Sequence, residues 1–138
     1  MPAKYLWELG SIIILLFGCM HLYFTFFTDK FSSTNKQLIA DMKASSPKLT
    51  KQTTMWKAWI GFNATHSSGA MFIGFLNFYM AYNYFDLMQT DHIFFLLSIV
   101  TVVFYVWVIK NIGFKTPIIG VLFTLFCYIA AYVLVLIC

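Results

Sequence analysis

The sequence predicts an all-α membrane protein, a bundle of four transmembrane helices, and three observations predict it. Hydrophobic residues make up 61% of the 138 and charged ones 10%, against roughly 45–50% and 25% in a soluble domain. Four apolar stretches suit the ~20 residues that a ~30 Å hydrocarbon core asks of a helix. The lysines are gathered into two of the three connections and their edges. A soluble fold of this size has too much surface to cover with so few charges, so the apolar side chains must face lipid.

The first predicted span covers residues 9–28. It is longer than the ~7–15-residue core of a signal peptide and has no small-residue cleavage pattern after it, so it reads as a retained helix. The second covers 55–84 and is long for a crossing. Its start, Met55-Trp56-Lys57-Ala58-Trp59, mixes tryptophan with lysine as an interfacial belt does, and its aromatic end does the same. The third covers 92–109. The fourth covers 117–138 and opens on Pro117, whose missing N–H costs nothing in a first turn. The whole reads as one membrane domain.

Residues 29–54 form the one sizeable polar connection. Within it Leu38, Ile39 and Met42 share a helical face that Lys36 and Lys43 avoid, which fits either a short helix on the membrane surface or a solvated loop. Ser45-Ser46-Pro47 closes this stretch, because the residue before proline resists helix. Lys30, Lys36, Lys43, Lys48, Lys51, Lys57, Lys110 and Lys115 belong to the first and third connections and their edges, and Lys4 alone stands at the N-terminus. The positive-inside rule therefore expects residues 29–54 in the cytoplasm and both termini outside.

Polar groups inside a membrane are costly and usually face the bundle interior. His21 lies nine residues before Lys30, and His66 nine residues after Lys57. At 1.5 Å per residue both stand roughly 13 Å from the same face. Small and polar residues flank each at helical spacing: Gly10, Ile14, Gly18, Thr25 and Thr28 on the first span, and Trp59, Asn63, Ala70, Gly74, Asn77 and Ala81 on the second. Such stripes let membrane helices approach and hydrogen-bond. With Ser67 beside His66, the candidate polar site is His21, Trp59, Asn63, His66, Ser67 and Asn77.

Several chemistries fit a histidine pair. Haem or metal ligation by His21 and His66 is one, but helices ~8–10 Å apart leave little room for a porphyrin, and the chain has no arginine to meet propionates. No metal is predicted, since an ion alone wants three or four ligands, and the residues name no cofactor. Proton or small-solute passage past His21, His66, Asn63 and Asn77 is another. Acid–base catalysis on a lipid-soluble substrate is a third, although no nucleophile elbow, paired carboxylates or phosphate loop is present. The plainest reading is that these residues fix the packing by hydrogen bonds worth ~0.6–2 kcal/mol each. A structural or accessory protein of unknown activity is then the leading expectation, with enzyme or redox chemistry as the alternative. Cys19 and Cys127 sit in apolar runs, where cysteine packs as a small hydrophobe, and none of the three cysteines forms a C-x-x-C pair.

The segment Trp56-Lys57-Ala58-Trp59-Ile60-Gly61-Phe62-Asn63-Ala64-Thr65-His66-Ser67-Ser68-Gly69 resembles an uncharacterised family of small bacterial four-helix membrane proteins. In that family a W-K-A-W-x-G-F-N-x-x-H-S-x-G segment opens the second helix and a histidine ends the core of the first. The likeness covers about the first half of the chain, with Gly18-Cys19-Met20-His21-Leu22-Tyr23 and Ser46-Pro47-Lys48-Leu49-Thr50 also in it. It implies a bacterial inner membrane and no particular activity, and it singles out Trp56, Trp59, Asn63, His66 and Ser67. The lipid bilayer is the expected partner and nucleic acid is not; Gly61, Gly69 and Gly74 suit packing within one chain, in a homo-oligomer or against a membrane partner.

Overall fold

A computed structural model describes residues 2–112 and 115–137, so Cys138 and the middle of the third connection lie outside the described residues. Five helices follow one another: α1 (Pro2–Phe27), α2 (Lys36–Ala44), α3 (Met55–Thr90), α4 (Ile93–Ile112) and α5 (Lys115–Ile137).

The four-span expectation is corrected. Among the described residues three helical segments are long and apolar enough to cross a membrane: Pro2–Phe27, Ile93–Asn111 and Pro117–Ile137. They mark a multi-pass membrane protein. α3 has the length, at 36 residues, but not the hydropathy, because Asn63, His66, Ser67, Ser68 and Asn77 recur through it. The expectation that both termini lie on one side rested on four crossings. α3 is also interrupted at Tyr84, whose φ −134° and ψ 31° leave the helical region. α1 starts earlier than expected, with Pro2 at its first position, where proline's fixed φ suits a helix.

α2 settles the reading of the polar connection in favour of a helix. Asn35 caps it, its side-chain oxygen accepting from the Gln37 N–H at 3.0 Å and the Leu38 N–H at 3.4 Å. Gln37 donates to Asp41 one turn on, and Lys43 stands in the last turn, where a cation suits the helix dipole. The helix stops at Ser45, two residues before Pro47.

The chain divides into two compact units, one holding residues up to Phe17 and from Ala70 onward, the other Gly18–Gly69. The first unit is built on Trp7, fully buried. Its indole stacks on Tyr128 at 3.9 Å between centroids and meets Phe95 edge-on at 4.6 Å. The indole N–H donates to Asn77 Oδ1 at 3.1 Å. Ser11 donates to the Trp7 carbonyl at 2.7 Å and shares a 2.9 Å hydrogen bond with the Tyr128 hydroxyl. Thr124 donates to the Gly10 carbonyl at 3.3 Å. α1, α3, α4 and α5 each contribute to this core through Ile14, Ala81, Val102 and Ala131 among others. α4 and α5 pack along one another.

Glycine allows the closest approach here. A Cβ at Gly74 would stand 2.6 Å from the Leu15 backbone nitrogen, whereas one at Gly61 would meet nothing within 4 Å. Near the break in α3, Lys4 Nζ donates to the Tyr82 carbonyl at 2.9 Å. The second unit comprises the end of α1, the connection with α2, and the first half of α3.

Two outcomes follow for stability in detergent. Asn77→Leu leaves the Trp7 indole donor buried without its acceptor and costs about 1–3 kcal/mol; thermal unfolding reads it, and an unchanged Tm contradicts it. Gly74→Ala forces the neighbouring backbone apart and costs about 1–3 kcal/mol, while Gly61→Ala is tolerated. Equal melting shifts for the two alanines would contradict the close approach.

Candidate functional site

Five of the six expected site residues belong to the second unit, and their geometry starts from helix spacing. Asn63 and Ser67, one turn apart on α3, are both buried, as is Thr25 on α1. His21 lies one turn before Thr25 and is half-buried, and His66, one position before Ser67, is exposed. Asn63 sits at the centre. Its Oδ1 accepts from His21 Nε2 at 3.1 Å, since an amide oxygen can only accept. Its Nδ2 donates to the Trp59 carbonyl at 2.9 Å, and its own carbonyl accepts from Ser67 Oγ at 2.7 Å. Thr25 Oγ1 donates to the His21 carbonyl at 2.8 Å.

The two histidine rings stand 5.4 Å apart, edge to face. His21 also stacks on Phe31 at 4.3 Å, and His66 lies parallel to Phe62 at 6.5 Å. Trp59, exposed, donates its indole N–H to the Phe31 carbonyl at 3.1 Å and so ties α3 to the chain leaving α1. Asn77 belongs to the other unit, where it serves Trp7 and donates to the Ile73 carbonyl at 2.9 Å.

Metal ligation finds little support in this donor set. Among the described residues no three of His, Cys, Asp or Glu come together as a group that holds a metal ion. His92, the third histidine, packs edge-on against Tyr132 at 5.7 Å in the first unit, its Nδ1 buried without a hydrogen-bond partner. Glu8 is nearly buried and lies 3.9 Å from Lys4.

Sequence reasoning missed Trp7, Ser11, Thr124 and Tyr128. The usable signal for the first two was the four-residue step from Trp7 to Ser11, with Gly10 beside it and Ile14 and Gly18 continuing the face. All three of those neighbours are buried. On α5 the same step joins Thr124 to Tyr128. No family model matches the chain, and no curated protein or solved structure matches it.

His66 stands on α3, outside the three apolar spans. Partial burial lowers its pKa below the ordinary 6.5, and the neighbouring His21 lowers it further. The fold thus favours neutral His66, and the stability it contributes is present above pH 6.5 and lost as the pH falls below that value. Titration of the imidazole signals by NMR should give a His66 midpoint below 6.5 that rises in His21→Ala. A midpoint at or above 6.5, unmoved by that substitution, would contradict the pairing.

Proposed function

We propose that this chain is a structural or accessory protein of a bacterial inner membrane, and that its buried polar residues hold helices together rather than act on a substrate. Asn63 carries the reading. Its carboxamide oxygen, its amide nitrogen and its main-chain carbonyl are all engaged inside the unit, by His21, Trp59 and Ser67. A residue poised for a ligand would keep a polar atom turned towards an open cavity. Kinship with the family carrying the W-K-A-W-x-G-F-N-x-x-H-S-x-G segment belongs to the same proposal, and residues 56–69 support it. So does a cytoplasmic position for residues 29–54 with the N-terminus outside, which the lysines of that connection favour.

Two measurements separate this role from chemistry at the histidines. A double-mutant cycle of His21→Ala and Asn63→Leu, read by thermal unfolding in detergent, should give a coupling of about 0.6–2 kcal/mol. The purified protein should show neither a Soret band nor stoichiometric metal. A Soret band or bound metal that disappears in His21→Ala with His66→Ala would overturn the structural role in favour of redox or metal chemistry.

A further inference from the structure

The second unit has a groove of about 300 Å³ lined by Phe31, Ser32, Ser33, Leu38, Met42, Trp56 and Trp59. Its walls come from the end of the α1–α2 connection, the inner face of α2 and the first turns of α3. Two tryptophans, a phenylalanine, a leucine and a methionine make it apolar, and the hydroxyls of Ser32 and Ser33 make one part polar. Such a volume lies at the small end of ligand sites. It accommodates part of an acyl chain rather than a whole lipid.

The charge around it is one-sided. Residues 29–57 carry Lys30, Lys36, Lys43, Lys48, Lys51 and Lys57 against only Asp29 and Asp41. One of these lysines is held at an aromatic residue of the groove, and a second at a ring beside it. Lys43 Nζ stands 5.5 Å from the centroid of Trp56, and Lys30 Nζ 3.9 Å from that of Phe24, whose ring meets Phe31. Among the described residues the one ion pair is Lys4 with Glu8. The ammonium groups of Lys30 and Lys43 therefore rest on ring faces and form no close ion pair with a carboxylate, which leaves them able to meet an anion.

We propose that this groove binds an anionic glycerophospholipid from the adjoining leaflet. An acyl chain lies along Leu38, Met42, Trp56 and Trp59, and the phosphate meets Lys43 at the lip with the Ser32 and Ser33 hydroxyls. Charge complementarity selects the lipid, because basic side chains at a membrane surface favour anionic headgroups. The tryptophans suit the headgroup level. Asn35 capping and the Trp59–Phe31 hydrogen bond keep the walls in place. The groove shares Phe31 and Trp59 with the His21–Asn63 cluster, but its lipid preference is read at Lys43 and Leu38, which lie outside that cluster, so loss of one reading leaves the other standing.

The test uses the full chain in phosphatidylcholine nanodiscs containing a minor fraction of brominated-chain lipid, either phosphatidylglycerol or phosphatidylcholine, with tryptophan quenching as the readout. Brominated phosphatidylglycerol should quench more strongly, and Trp56→Phe should remove part of the excess. Lys43→Gln, an exposed substitution, should lower the apparent preference about fivefold. Leu38→Asn should lower it as well, which separates a built groove from a diffuse basic surface; circular dichroism checks that both variants are folded. Equal quenching by the two lipids, or an anionic preference that survives both substitutions, would overturn the proposal.

Discussion

An indole N–H has one proton to donate and nothing to accept, and Trp7 takes it into a fully buried place. Left unpaired there it would cost about 1–3 kcal/mol, so its bond to Asn77 constrains everything around it. The bond sets how the first half of α1 is turned towards the second half of α3. Tyr128 from α5 then stacks on an indole face, and Phe95 from α4 meets the indole edge-on. Tyr128 brings a hydroxyl of its own, which Ser11 satisfies. α1, α3 and α5 are thereby set against one another by a few polar atoms, and α4 joins them through the Phe95 ring. In lipid, apolar surface alone has little power to choose a rotation, because a neighbouring acyl chain is as apolar as a neighbouring leucine.

Close approach makes those bonds possible. Gly74 lets α3 come within van der Waals reach of the Leu15 backbone, and Gly10 leaves room for the Tyr128 ring. The same economy governs the second unit, where Asn63 takes the part of Asn77 and His21 that of Trp7. There the surroundings differ. His66 and Trp59 are exposed, α2 is polar, and Lys30 and Lys43 rest on aromatic rings. One unit is closed around its polar contacts; the other presents charge and aromatic surface.

How much of this was legible varies by residue. The apolar runs of α1, α4 and α5 declared themselves by hydropathy, since lipid exposure needs a helix apolar nearly all round. The polar stripe of α3 was also visible, with Asn63, Gly74, Asn77 and Ala81 buried at their expected spacing. What hydropathy concealed was the consequence of that stripe: the residues that bury one face make α3 less apolar than a membrane span. His66 stands at the edge of the stripe, and Ser67 occupies the buried position beside it, a difference of one residue that spacing alone does not resolve.

The sequence by itself determined that this is a helical membrane protein with a basic, lysine-only connection between its first two long helices, because apolar length and charge placement are properties of the chain read in order. It also paired His21 with His66 and put Asn63 on the same polar stripe. Only the tertiary structure decided that Asn77 serves Trp7 instead of the histidines, that Tyr128 and Ser11 complete that core, and that Trp56, Trp59, Leu38 and Met42 enclose a groove. Those outcomes depend on which residues far apart in the chain reach the same few ångströms. That choice is made by the directional needs of buried donors and acceptors, which a hydropathy pattern does not carry.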